Sequence, residues 1–211
     1  MNFEDLWRIY LQGRPLAFDM DNTIYREIDF LHQAYKKISV ELYGEDWESP
    51  YDYLCVRFKA SGRKNLLNCL LQKFPLGSNK DNIDQCLKIM RASTVAESLA
   101  VYPWFSRFIS LVEKPFELRI ITNGNPQQQK NKFAALSFDR AGVTTDLICA
   151  NDYGAKPNIE ALAALRNSNL LLDLVYVGDS VVDAEFCQNA GIEFFDVTKS
   201  LTKLDADFYN S

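Results

Sequence analysis

The sequence predicts an α/β protein: a Rossmann-like, mostly parallel sheet core with an inserted α-helical cap domain. Three observations carry that expectation. Short apolar runs ending at polar residues recur at residues 15–18, 118–121, 174–178 and 193–195, with the length and composition of buried strands. Helical spacings lie between them, and strands alternating with helices in this way form a parallel sheet through right-handed crossovers. Residues 25–104 carry several helical patterns and few strand signals, too long a stretch for a simple crossover.

In chain order, residues 2–12 are expected to form a helix of open role, and PLAF is the first strand, ending at Asp19. Phe30, Leu31, Ala34, Tyr35, Ile38 and Leu42 then share one helical stripe; LLNCLLQKF is a second helix, and Ile83, Leu87 and Met90 mark a third. Between them YGEDWESPYDYL reads as an acidic, aromatic turn, and VRFKASGRKN as either a solvated loop or a basic clamp for a substrate anion. Trp104, Phe105, Phe108, Ile109 and Val112 line one helix face before the strand LRII, and LICA is a weaker strand candidate. A helix is expected after Pro157, carrying Ile159, Leu162, Ala163 and Leu165, because proline is tolerated in a first turn where its missing N–H is not needed. LVYVG is the next strand, Val182, Phe186 and Ala190 mark the face of the following helix, and EFF is the last strand. The tail after Val197 either docks back or frays. The expected division is a core of residues 1–24 and 105–211 around a helical domain of residues 25–104.

Composition narrows the function classes. With 211 residues, 47% of them apolar, the chain can bury a substantial core, and a net charge of −5 argues against general nucleic-acid binding, which needs basic surface. No apolar run approaches the roughly 20 residues that span a bilayer, and the N-terminus lacks the pattern of a signal peptide. Five scattered cysteines without a C-x-x-C pair fit reduced thiols, so a cytoplasmic protein is expected. The single histidine, His32, sits in a helical pattern as a partly exposed residue, which leaves proton transfer to carboxylates.

Ligands of open parallel sheets bind outside the carboxyl ends of the strands, and Asp19, Thr122 and Asp179 each follow a strand-like run. Taken singly, Asp19 and Asp21 are ordinary turn formers or helix caps. A calcium loop beginning at Asp19 fails, because Ile24 stands where glycine is needed and Phe30 where a bidentate glutamate is needed.

Together, FDMDNT, ITNGN, AKPN and VGDSVVD, in that order around an inserted helical segment, resemble the haloacid dehalogenase superfamily in its helical-cap branch, across almost the whole chain. The resemblance implies a phosphatase that uses Mg2+ and an aspartyl-phosphate intermediate on a small phosphorylated metabolite, a sugar phosphate or nucleotide. It implies Asp19 as nucleophile and Asp21 as general acid/base, the latter expected to have its pKa raised by a like charge. Mg2+ would be held by Asp19, the backbone carbonyl of Asp21 and Asp179, with Asp183 as a direct ligand or acting through water. Phosphate would be held by the Thr122 hydroxyl, the Asn123 N–H and Lys156, whose alternative is a solvated lysine. Thr23 would brace the two aspartates from beneath. Arg57, Lys59, Arg63 and Lys64 are the candidate specificity residues of the cap. A second aspartate at position 21 separates this reading from a dehalogenase; a phosphomutase and a catalytically idle binding protein of the same fold remain alternatives, and the oligomeric state is open.

Overall fold

A computed structural model of the protein describes residues 2–74, 80–165 and 173–200. Five parallel strands form its centre: β1 (Leu16–Phe18), β3 (Phe116–Thr122), β5 (Val143–Cys149), β6 (Val175–Gly178) and β7 (Glu193–Asp196), in the order β5-β3-β1-β6-β7. The α/β class follows from the same apolar runs that suggested it. β1 and β6 are buried along their whole length, as central strands covered on both faces must be. β1 lies between β3 and β6, with Ala17 opposite Arg119 and Tyr176. The strand ends that carry Asp19, Thr122 and Asp179 therefore share one edge of the sheet.

β5 is longer than LICA suggested. Its first half, Val143–Asp146, alternates between partly exposed and exposed positions until Asp146, because β5 is an edge strand with only β3 as neighbour.

Two helices outside the segment 25–98 pack against the sheet. α1 (Phe3–Leu11) starts with a capping box in which Asn2 and Asp5 satisfy each other's backbone N–H groups. It buries Phe3, Leu6 and Ile9, while Trp7 and Tyr10 join an aromatic cluster with Phe108 and Phe116. α6 (Pro103–Leu111) buries Trp104, Phe105, Phe108 and Ile109 against β1, with Phe18 ringed by Trp104, Phe105 and Phe108.

Among the described residues, four α-helices lie between β1 and Leu99: α2 (Glu27–Tyr43), α3 (Glu48–Ser61), α4 (Leu66–Lys73) and α5 (Lys80–Ala92). The stripe Phe30–Leu31–Ala34–Tyr35–Ile38 is wholly buried on α2. The basic stretch 56–65 is not a single loop, because α3 runs on through Ser61 and only Gly62–Asn65 turn into α4. The acidic turn is likewise shorter than residues 43–54, since α3 begins at Glu48. The segment enters and leaves the core side by side: Tyr25 pairs antiparallel with Val101, and the Tyr102 N–H donates to the Ile24 carbonyl at 2.8 Å. A small parallel ribbon of β2 (Leu99–Ala100) and β4 (Leu136–Ser137) adjoins it.

Two helical expectations change. After Pro157 the chain forms a 3-10 segment, Ile159–Ala164, in place of an α-helix; it is capped by Asn158, and Leu165 follows it in extended backbone. On α8 (Val181–Ala190), Val182 is exposed and the buried face is made by Asp183, Phe186 and Cys187. α7 (Pro126–Ala135) follows β3, and α9 (Val197–Ser200) ends the described residues, so the tail beyond residue 200 lies outside them. Among the described residues no helix is long and apolar enough to cross a membrane.

Candidate active site

The carboxyl ends of β1, β3 and β6 surround a cleft of about 220 Å3 lined by Asp19, Asp21, Thr122, Asn123, Lys156 and Asp179, among others. Asp19 leaves β1 with its N–H still donating to the Val177 carbonyl at 2.8 Å, so the adjoining strand fixes its backbone. The turn that follows places Asn22 at φ 58°, a left-handed conformation that asparagine tolerates. The Asn22 side chain then accepts from the Glu27 N–H at 3.0 Å at the start of α2.

Lys156 is the hub of one half of the site. Its Nζ donates to Asp19 Oδ1 at 2.7 Å, to Asp183 Oδ1 at 2.6 Å and to the Tyr176 hydroxyl at 2.7 Å. The solvated alternative for this lysine is set aside, because its side chain is 2% exposed. Burial works against its charge, but Asp19 and Asp183 outweigh it and hold the ammonium above its ordinary pKa. Asn123 clips the same loop: its Oδ1 accepts from the Lys156 N–H at 2.8 Å and its Nδ2 donates to the Lys156 carbonyl at 3.0 Å.

Asp183 is third in α8 and closes a capping box with Ser180, accepting from the Ser180 hydroxyl at 2.6 Å through Oδ2. Gly178 is required beside it, since a Cβ there would lie 2.7 Å from Asp183 Oδ2. Carboxylate oxygens of Asp19, Asp179 and Asp183 lie within 4.8 Å of one another. Burial pushes the Asp19 carboxyl up to about 8 and that of Asp179 up to about 6, with Asp183 adding to both. Carboxylates crowded together with too little opposing charge, offering only oxygen donors, fit a hard divalent cation. With both Asp183 oxygens engaged by Lys156 and Ser180, Asp19 and Asp179 are the freer donors. Thr23, expected beneath Asp19 and Asp21, instead donates its hydroxyl to Asp179 Oδ1 at 3.4 Å.

The Asp21 carboxylate stands apart from this cluster. Its Oδ1 accepts from the Tyr25 hydroxyl at 2.6 Å, and its Oδ2 accepts from Lys132 Nζ at 2.6 Å and from Gln129 Nε2 at 3.3 Å. The expectation of a raised pKa is therefore corrected. Burial does oppose the charge, but Lys132 and Arg63 override it and hold Asp21 below the usual carboxylate range. Nearby cations, not the neighbouring carboxylate, decide its ionisation.

Lys132 escaped the sequence reading, as did Gln129 and Glu27. α7 reads PQQQKNKFAA, a polar helix that would normally be assigned to the surface, yet Gln128, Gln129 and Lys132 are its buried residues. The Lys132 side chain is fully buried, and its Nζ also lies 3.4 Å from Glu27 Oε1 and 5.4 Å from the Phe30 ring centroid. Burial pulls its pKa down to about 8 against the attraction of Asp21, so both members of the pair remain charged at neutral pH. Gln129 donates to the Thr122 hydroxyl oxygen at 2.7 Å and to the Asn123 carbonyl at 2.7 Å, which orients the Thr122 O–H. Gly124, at φ 134°, lets the loop pass Gln129, where a Cβ would come within 3.0 Å.

Of the four basic cap candidates, only Arg63 lines the cleft, 3.5 Å from Asp21 and paired with Glu27. Arg57 and Lys59 sit on α3, and Lys64 is exposed in the following turn; none of the three lines the cleft. His32 is half-buried on α2, hydrogen-bonded to Tyr51 at 2.9 Å and remote from this chemistry.

Across residues 16–197 the sequence matches the haloacid dehalogenase-like hydrolases. The chain belongs to that family. Among curated relatives, a phosphoglycolate phosphatase of Rhodobacter capsulatus is 28% identical over 200 residues, which cover 91% of this chain and 87% of the relative. Two solved structures share the fold of this hydrolase. A putative phosphoglycolate phosphatase from Lactobacillus plantarum aligns over 86% of this chain and 84% of its own, at 18% identity and a TM-score of 0.54. The putative hydrolase YfnB of Bacillus subtilis aligns over 86% of both chains, at 20% identity and a TM-score of 0.53.

Proposed function

We propose that the protein is a Mg2+-dependent phosphatase of small phosphomonoesters, working through an aspartyl-phosphate on Asp19. The observation that carries this is the Lys156 ammonium fixed between Asp19 and Asp183 in a cleft that also offers the Thr122 hydroxyl and the Asn123 backbone. A nucleophilic carboxylate, a fixed cation and neutral donors around one small volume are what phosphoryl transfer needs. The phosphatase relative from Rhodobacter supports the same reaction class.

In this reading an Asp19 oxygen attacks phosphorus and the bond from phosphorus to the ester oxygen breaks. The leaving oxygen takes a proton from Asp21, and water then attacks the aspartyl-phosphate while Asp21 takes the proton back. An incoming phosphate dianion raises the proton affinity of Asp21 by like-charge repulsion, opposing Lys132. Such acid/base help is worth roughly 10^2- to 10^4-fold. Lys156 and Thr122 stabilise the charge spread over the equatorial oxygens. Mg2+, held by Asp19, Asp179 and the Asp21 carbonyl, supplies charge neutralisation and alignment when bound. Residues 25–104 act as the cap over the core of residues 1–24 and 105–211, with Glu27 and Arg63 as its contacts to the cleft.

The test is phosphate release from a panel of monoesters with Mg2+ and with chelator. Turnover that requires Mg2+ and disappears in Asp19→Asn is expected; full activity in Asp19→Asn would sink the covalent route. Isomerisation of a sugar phosphate without net phosphate release would select the phosphomutase.

A further inference from the structure

Beside the charged cleft lies a second chamber of about 270 Å3, walled by Tyr35 of α2, Leu66 and Leu67 of α4, and Leu87 and Met90 of α5. The two share a wall. Arg63 lines both, and the backbone that leaves Thr122 and Asn123 in the cleft continues as Gly124 and Asn125 along the chamber. Their chemistry differs: carboxylates and an ammonium surround the cleft, whereas five of the ten residues lining the chamber are aliphatic or aromatic and none is a carboxylate. Leu67, Leu87 and Met90 are only half-buried, so their apolar surface has no packing partner on the chamber side. Together the two volumes reach the range of about 300–1,000 Å3 typical of small-molecule sites.

A phosphoryl group with a two-carbon hydroxy acid attached would be accommodated in the cleft, leaving the apolar chamber unfilled. We infer that the leaving alcohol of the physiological substrate carries an apolar body of about ring size, which occupies this chamber while the phosphoryl group meets Asp19. The inference rests on the phosphatase reading for its choice of ligand end, but the chamber can be tested apart from turnover. Arg63, held by Glu27 and Asp21, stands where the two volumes meet, so a substrate reaching from one to the other passes its guanidinium. Arg91 also lines the chamber, has no carboxylate partner among the described residues and suits a hydrogen-bond acceptor on the body's edge.

The experiment compares ethyl phosphate with 2-phenylethyl phosphate, whose leaving alcohols differ little in basicity, so that the ratio of kcat/KM values reports the chamber. Burial of a phenyl group predicts a preference of about 10- to 100-fold for the larger ester. Leu67→Trp and Leu87→Trp fill the chamber from separate helices and are expected to bring the ratio close to one. The inert 2-phenylethylphosphonate and ethylphosphonate, titrated calorimetrically, should show the same preference in binding. Equal kcat/KM values together with equal phosphonate affinities in the unaltered protein overturn the inference, as does a ratio untouched in both folded variants. A phosphonate preference without any phosphate release keeps the chamber and removes the phosphatase reading.

Discussion

Replacing Lys132 with methionine tests the buried charge network most directly. The substitution keeps an unbranched side chain one atom shorter and leaves Asp21 and Glu27 facing a neutral thioether. Removing one member of a buried pair strands the other charge and typically costs about 3–5 kcal/mol. Arg63 remains near both carboxylates and offsets part of the stranded charge, though only part, because its side chain is 41% exposed and its attraction is weakened by water. The loss should therefore fall near the lower bound, about 3 kcal/mol, equivalent to a fall of roughly 6–12 °C in Tm for a chain of this size. Urea unfolding in chelator, at pH 7 where the pair is charged, gives the number. Adding Asp21→Asn isolates the pair: residues in contact couple by about 0.5–3 kcal/mol, so the double variant should lose less than the two single losses summed. A loss below about 1 kcal/mol, or strict additivity with Asp21→Asn, would refute the network as drawn.

Three further outcomes are expected. Leu6→Ala, at a fully buried position of α1, should cost about 2–5 kcal/mol in urea unfolding, and a near-neutral result would deny α1 a part in the core. Gly178→Ala forces a methyl group onto Asp183 and should cost about 1–3 kcal/mol while lowering phosphate release; unchanged stability and activity would contradict the contact. Burial lowers the pKa of His32 from 6.5, so folding keeps the ring neutral, and its stabilising contribution is present above 6.5 and lost as pH falls through the folded value. As the chain's single histidine it gives one imidazole titration by NMR in tag-free protein, and a midpoint above 6.5 would count against the buried placement.

The strands leading to Asp19, Thr122 and Asp179 were legible because central strands of a parallel sheet are near-continuously apolar: PLAF and LVYVG are wholly so, and LRII is broken only by Arg119. The front of β5 was not, because an edge strand can leave Thr144 exposed. The carboxylate cluster could be placed from the order of its motifs, but the charge state of Asp21 could not. It depends on a lysine 111 residues away, on a helix whose composition belongs to a solvated face. Only tertiary packing turns Gln129 and Lys132 inward, and no periodicity announces a helix that buries its polar side. The shift of the α8 face has the same origin, since Asp183 takes a buried position that pattern alone would give to Val182.

The pairing of Tyr25 with Val101 has a consequence for how such a protein can change over time. The chain departs from the sheet and comes back to it through neighbouring, mutually bonded backbones, so the four helices hang from one seam. A module attached in this way can be lengthened, repacked or exchanged without moving Asp19, Lys156 or Asp179, all of which lie on the other side of the seam. Tyr25 ties the two inheritances together, since its backbone is stitched into the seam while its hydroxyl holds Asp21. Under the proposed division, substrate preference can drift by changes in the hanging part, provided Glu27 and Arg63, which reach Asp21 and Lys132, keep their places.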